Sequence, residues 1–327
     1  MMLSDFMNLV PPFCSNIDSN TPVVPAWERD AVALGALAAL ATYEELMLSP
    51  KPGLVCPDSP GSHSDMNWIT FLIGASAIAP LWRVQAHAGL CCGHYKPLSE
   101  LADKLRVTGR KMECAMFEAT GGVNTHKGLI FALSLLVAAS GARIPAREYS
   151  PSAVLEAAGG IIASDVGREF NSIAQKVERG EKMTHGEKIY FLHGIGGIRA
   201  EAAGGFPSVK AGLGALEEAL SEGAALRDAA IKAMLTIMLE CEDTNVIHRA
   251  GVNFWRGEYK ERVSGALRGF DPVCPGRYEP LRGLGGRLIE LGASPGGAAD
   301  LLACTLFMYR SKISGNKLLK KRRREMK

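Results

Sequence analysis

The strongest constraint on this chain is a periodicity. Within Ala224–Glu242, the residues Ile231, Met234, Leu235 and Met238 recur at i, i+3, i+4 and i+7, the spacing that lines one face of a 3.6-residue helix. Helical patterning also covers Trp27–Leu48, Met66–Trp82, Ser99–Ala119, Lys127–Ser140, Ser152–Ser164, Val209–Glu222, Glu258–Leu267 and Gly296–Arg310. The first of these is rich in Ala and Leu and stops at Ser49-Pro50, where proline disfavours helical backbone in the residue before it. No segment alternates Val, Ile, Thr or Tyr at a period of two around a two-residue glycine turn, so the sequence supplies no strands. No fixed repeat of the solenoid kind is present either. The expectation is an all-α fold: a single compact multi-helix domain over residues 26–312, an irregular N-terminal arm over 1–25 and a basic tail over 313–327.

Size and composition agree with a globular chain. The 327 residues are 47% hydrophobic and 22% charged, which excludes a disordered, collagen-like or disulfide-stapled class. A chain of this length buries about 75% of the surface its unfolded form exposes and needs no staple. Eight cysteines show no C-x-x-C pair and no zinc spacing; Cys91-Cys92-Gly93-His94 is the one local cluster, and the thiols read as idle in a reducing compartment. The first twenty residues carry Asp5 and no basic stretch, so no signal peptide is expected. Ile69–Trp82 and Gly128–Ala142, the longest apolar runs, fall short of the ~20 residues of a membrane span and read as core helices. The expected location is cytoplasmic. Net charge is +3, yet Lys317–Lys327 alone holds seven Lys or Arg against one Glu. Such a terminal block is a solvated end or an RNA- or membrane-surface contact. Lacking interleaved aromatics, it gives no support to a nucleic-acid enzyme.

The polar chemistry sits where helices begin and end. Lys51 stands between Pro50 and Pro52, ahead of Gly61-Ser62-His63-Ser64-Asp65. Glu118 precedes Gly121-Gly122-Val123-Asn124-Thr125-His126-Lys127, where glycines allow close backbone approach and a helix start offers unpaired N–H groups. The G-x-x-x-x-G-K-[ST] spacing of a phosphate loop is not met there. Thr184-His185-Gly186-Glu187 leads into Gly194–Glu201, which carries Arg199; a dinucleotide fingerprint fails because G-x-G-x-x-G is absent and no strand precedes it. Asp243, Asn245, His248 and Arg249 follow a strongly apolar helix, and Ser294-Pro295-Gly296-Gly297 opens the last one, ahead of Asp300. Taken alone, the first, second and last also read as capped helix starts, with Ser64 or Asp65, Asn124 or Thr125, and Ser294 as caps, the third as a solvated surface loop, and the fourth as a polar helix end with Arg249 near its last carbonyls. Five such junctions in an all-helical domain point to one shared site.

These blocks resemble the signature of the triphosphoribosyl-dephospho-coenzyme A synthase family. Pro50–Val55, Gly61–Met66, Gly122–Gly128, Thr184–Glu187, Asp243–Asn245 and Ser294–Ala303 run in the family's order across residues 43 to about 307. The resemblance implies transfer of the triphosphoribosyl part of ATP to the 2′-hydroxyl of 3′-dephospho-coenzyme A, with release of adenine. The product would be the prosthetic-group precursor of the acyl carrier protein of citrate lyase or malonate decarboxylase, attached by a separate transferase. Displacing adenine creates an oxocarbenium-like sugar, so carboxylates should flank the ribose and exchange protons with the base and the hydroxyl. On this reading Asp65 and Glu187 form the acid/base pair, with His126 and His185 as further catalytic groups. Lys51, His63, Asn124, Lys127, Arg199, Asn245, Arg249, Ser294, Gly296 and Gly297 bind ATP or acceptor, and Asp243, Glu201 and Glu118 hold Mg²⁺. Asp300 is a further candidate carboxylate. Three positions depart from the family pattern: Cys56 stands where Asp is usual, Ala250 where Gly is common and Ala298 where Ser is common.

Two other readings remain open. The same acidic pocket would suit a hydrolase acting on the N-glycosidic bond of a nucleotide or ADP-ribose-type substrate, with water as acceptor. A non-enzymatic helical interaction protein would use the same motifs only to cap helices.

Overall fold

The computed structural model describes residues 25–92, 97–146, 149–274 and 276–325, and among these every regular element is helical. In chain order the α-helices of seven residues or more are α1 (Ala26–Met47), α2 (Trp68–Ile78), α3 (Trp82–Cys92), α4 (Leu101–Ala119), α5 (Lys127–Ala146), α6 (Pro151–Glu178), α7 (His185–His193), α8 (Gly197–Ala203), α9 (Pro207–Ser221), α10 (Leu226–Glu240), α11 (Thr244–Ala250), α12 (Lys260–Gly269), α13 (Glu279–Glu290) and α14 (Gly296–Glu325). The expected all-α class is what the chain adopts.

Several boundaries differ from the sequence expectation, for local reasons. The segment expected as one helix over Met66–Trp82 starts at Trp68, because Asn67 forms a capping box with Thr70, and it breaks into a 3₁₀ turn over Ala79–Leu81 at Pro80 before resuming as α3. Neither Ser64 nor Asp65 is the cap. The helical stretches Trp68–Cys92 and Lys127–Ile144 are therefore long and apolar enough to cross a membrane, contrary to the shorter runs expected; the second is 78% buried inside the protein and is its core helix. α7 and α8 are short helices in the stretch that also read as a solvated loop, α11 is a separate short helix where a polar helix end was the alternative, and α13 was not foreseen. α6 extends well past the expected Ser164, to Glu178. The basic segment over 313–327, expected as a separate tail, is continuous with α14 as far as Glu325. The expected arm over 1–25 lies outside the described residues except for Pro25, as do Gly93 and His94 of the cysteine cluster.

α5 is the axis of the molecule. Leu129, Ile130, Leu133, Leu136, Val137 and Ala138 are all buried, and α1, α3, α4, α6 and α14 pack around it. Burying each such Leu or Ile fully contributes about 1.5–3 kcal/mol. α3 approaches α5 at backbone distance, because a side chain on Gly89 would strike the Ala138 carbonyl. α9 and α10 form an antiparallel pair closed on one side by α14. A π-helical turn over Trp255–Tyr259 brings Lys260 back against the end of α10, where its ammonium donates to the carbonyls of Leu239 and Cys241 and stacks on the Trp255 ring. This packing gathers the C-terminal ends of α1 and α10 and the N-terminal ends of α2, α5, α8, α11 and α14 at one end of the bundle.

Candidate active site

A cleft of about 580 Å³ opens at that end, and residues from all five junctions line it. The volume falls in the range of small-molecule sites, roughly 300–1,000 Å³. The first wall is the loop after α1. The loop contains a cis Ser49–Pro50 peptide and is tied down from two sides: Arg227 donates to the Ser49 carbonyl, and the Ser62 hydroxyl donates to the Ala293 carbonyl at 2.8 Å. Gly61 adopts φ +59°, and a Cβ there would collide with the Leu54 backbone, so the turn requires glycine. The loop delivers Lys51, only 6% exposed, into the cleft. Its ammonium donates to the Glu45 carbonyl at 2.8 Å and to the Glu45 carboxylate, closing a buried ion pair.

His63 and Asp65 lie further along the same wall. Their side chains approach to 3.5 Å, a charge contact longer than a hydrogen bond, with Asp65 exposed to solvent. Burial and the nearby Arg249 push the His63 imidazole below its ordinary pKa, with Asp65 opposing, so the ring is predominantly neutral. Arg249 itself donates to the Gly292 carbonyl at 3.1 Å rather than to the end of its own helix.

The second wall is the turn into α5. Gly121 and Gly122 have φ +66° and +93° with open space on their side-chain side; Gly122 lines the cleft, and its N–H donates to the Phe117 carbonyl at 2.7 Å. Asn124 caps α5 by accepting from Lys127 N at 3.1 Å, and Lys127, half exposed, pairs with Glu113 at 3.3 Å. Between them, His126 is 3% exposed. Its Nδ1 lies 2.8 Å from the Thr125 hydroxyl, Phe71 packs edge-on against the ring, and Nε2 is buried without a protein partner. Burial, reinforced by the Lys51 charge, pushes this histidine down to about 3, so it presents a neutral ring to the cleft.

The carboxylates divide into two groups. Most are helix caps. Asp243, 1% exposed, accepts at Oδ1 from Asn245 N (3.0 Å) and Val246 N (3.3 Å), and at Oδ2 from Ala298 N (3.0 Å), so one side chain brackets the starts of α11 and α14. Burial outweighs these bonds and raises it to about 6. Ser294 is buried at the same bracket, and Gly296 and Gly297 leave room for Asn245 and Asp243. Glu242, which the motif reading passed over, accepts from Gly196 N at 2.9 Å and Gly197 N at 3.2 Å at the start of α8. Glu201 accepts from Ser208 N and Oγ at 2.8 and 2.9 Å at the start of α9. The starts of α8, α9, α11 and α14 are thus filled by the protein's own acids.

Asp300 is different. It lies in the floor of the cleft against Gly128, where a Cβ would collide with its Oδ2, and it accepts from the Leu129 amide. Burial, with the Glu45 and Asp243 carboxylates facing it, pushes its carboxyl far above the ordinary range. Glu45 escaped sequence reasoning; the available signal was an acid one turn before the end of an otherwise Ala/Leu-rich helix, six residues ahead of Lys51.

Four expected site residues stand apart from the cleft lining. Glu187 closes a capping box with Thr184, its Oε2 accepting from Thr184 N at 2.8 Å, and pairs with Lys176. His185 meets His248 with their Nδ1 atoms 3.0 Å apart, joining α7 to α11. Arg199 lies over the Phe131 ring and pairs with Glu169 at 3.5 Å. Glu118 is exposed on the last turn of α4. Cys56 does not reach the cleft either; it forms a short bridge to Ser59, and Ala298 is fully buried beneath Asp243. Among the described residues, no three His, Cys, Asp or Glu side chains converge as a metal site. The oxygens of Asp243 and Glu201 are already accepting from backbone and hydroxyl donors.

Comparison with known proteins matches these features to one family. Residues 31–317 match the family described as CitG: ATP:dephospho-CoA triphosphoribosyl transferase. A protein of Azotobacter vinelandii named "Probable 2-(5''-triphosphoribosyl)-3'-dephosphocoenzyme-A synthase" is 38% identical over 84% of this chain and 89% of its own length. Proteins of the same name from Malonomonas rubra (34% identical, 87% of each chain) and Streptococcus mutans (31%, 84% of this chain and 95% of that one) align similarly. No solved structure matches. With both walls of the cleft and all five junctions inside the matched region, the chain belongs to the triphosphoribosyl-dephospho-CoA synthase family of transferases.

Proposed function

We propose that this protein transfers the triphosphoribosyl group of ATP to the 2′-hydroxyl of 3′-dephospho-coenzyme A, breaking the C1′–N9 bond and releasing adenine. The observation that carries this reading is the single cleft into which all five junctions converge, with a neutral, unpartnered His126 Nε2 in its wall. Lys127 and Arg249 form the exposed, positively charged side of the cleft and take the triphosphate. Magnesium enters as the counter-ion of that triphosphate, part of the substrate. His126 Nε2 supplies one oriented hydrogen bond to the nucleotide, and its neutrality keeps it from repelling a cationic sugar. Asp65, the exposed carboxylate at the cleft, takes the proton of the acceptor hydroxyl as the new C1′–O bond forms.

The product is the precursor of a carrier-protein prosthetic group, attached by a separate transferase, and the enzyme works in the cytoplasm, where both substrates are made. The carrier is that of citrate lyase or of malonate decarboxylase, and Thr184–Glu187 leans slightly to the former; preferential loading of one of the two carrier proteins would decide between them. The activity itself is tested by mass spectrometry after incubation with ATP, Mg²⁺ and 3′-dephospho-coenzyme A. Adenine together with an adduct heavier by one triphosphoribosyl unit is the expected result. Adenine without adduct would replace the transferase by an N-glycoside hydrolase, and neither product would overturn both.

A further inference from the structure

The cleft floor holds a group whose task the transfer reaction leaves open. When the C1′–N9 bond breaks, its electron pair goes to adenine, a poor leaving group as the anion, so a proton must reach a ring nitrogen of the base as it departs. The donor has to be an acid in the cleft that keeps its proton at working pH. We propose that Asp300 is the proton donor to the departing adenine, and that Glu45, clamped by Lys51, is the positioning residue that keeps the proton on Asp300. The proposal rests on the transferase reading above and assigns a role within it.

Three observations place the proton there. Asp300 lies in the cleft floor with Gly128 pressed against one oxygen, so the carboxyl cannot swing away through α5. Its one identified donor is the Leu129 amide, far fewer than Asp243 receives. Glu45 is fixed by the Lys51 ammonium, which grips both its carboxylate and its carbonyl, and it lines the same cleft as Asp300, whose carboxyl it helps to push up. The charged and titratable groups facing Asp300 are Glu45 from α1 and Asp243 from the start of α11, with Lys51 and the neutral His126 beside them. Cys304, one turn further along α14, is pushed well above its ordinary pKa and stays neutral. A half-buried carboxyl that shares a cleft with two carboxylates is pushed toward its protonated form, by the logic that keeps one member of a catalytic acid pair neutral. In the step itself, the Asp300 proton passes to adenine, the C1′–N9 pair goes with the base, the acceptor oxygen bonds to C1′, and the hydroxyl proton passes to Asp65. Solvent exchange then returns a proton to Asp300.

The test uses a leaving group that needs no proton. N7-methyl-ATP departs as neutral 7-methyladenine, whereas ATP requires the acid. Asp300→Asn should lower turnover with ATP by about 10²–10⁴-fold and with N7-methyl-ATP by less than about tenfold. Equal losses with both nucleotides would overturn the role of Asp300. Glu45→Gln should move the alkaline limb of the kcat/KM profile for ATP to lower pH, with Glu45→Asp restoring it; an unmoved limb in a folded variant would overturn the role of Glu45. If Glu45→Gln fails to fold, the infrared carboxylic-acid band that Asp300→Asn removes should be present in the ligand-free wild type at neutral pH, and its absence would overturn the proposal. Wild-type enzyme that makes no adduct would instead overturn the transferase reading.

Discussion

The start of α7 and the start of α14 look alike in sequence: each sets an acid close to glycine at a helix junction. In three dimensions they do opposite things. Glu187 accepts from Thr184 N and from Lys176, and these contacts hold its carboxyl below the usual carboxylate range. Asp300 shares the cleft with the Glu45 and Asp243 carboxylates and is pushed the other way. A carboxylate surrounded by donors is already satisfied and serves the fold. One surrounded by acids keeps a proton that it can give away. Hydrogen-bond partners, more than proximity to glycine or histidine, separate cap from catalyst.

The sharpest break in this comparison is kinetic. Asp300→Asn should cost about 10²–10⁴-fold in turnover, while Glu187→Gln should cost less than about threefold. Comparable losses in the two variants would erase the distinction, and steady-state adenine release measures both. Next in size is Gly128→Ala. The added methyl displaces the Asp300 carboxyl, and a misplacement of about 1 Å can cost on the order of 10²-fold in rate, with thermal stability little changed.

A stability effect follows at Asp243, which bridges two helix starts. Asp243→Ala leaves the amides of Asn245, Val246 and Ala298 without acceptors and should destabilise the fold by about 1–3 kcal/mol in urea unfolding. Its carboxyl is raised from 3.8 to about 6, so its contribution is fully present below the unfolded value and is lost as pH rises through the folded one. Wild-type stability should therefore carry a downward slope between pH 4 and about 6 that Asp243→Asn removes. The smallest effect belongs to Glu187, whose folded pKa lies below its ordinary 4.5. Its contribution is present above that value and lost as pH falls through the depressed one. Glu187→Gln should cost about 0.5–1 kcal/mol at neutral pH and less in acid, read from chemical denaturation at the two pH values.

Much of this molecule was legible before folding. The period of Ile231, Met234, Leu235 and Met238 is a helix face, and all four are buried in α10. The junction motifs at Lys51, His126, Asp243 and Ser294 do meet in one cleft, because helices of the right length return each motif to the same end of the bundle. Short helices such as α7 and α11 were hidden, since seven to nine residues carry too few turns to show a period and owe their helicity to caps and packing. Glu45 was hidden by its surroundings, lying in a helix that reads as ordinary core.

The sequence by itself determined the helical class, the family and the set of polar junctions, because periodicity, turn chemistry and motif order are local properties of the chain. Tertiary structure alone decided which acids are caps and which face other acids. Ala298 lies 55 residues from the Asp243 it caps with, and Glu45 lies far along the chain from Asp300. The ionisation of a carboxyl depends on burial and on the charges within a few ångströms of it, and neither exists until the chain has folded.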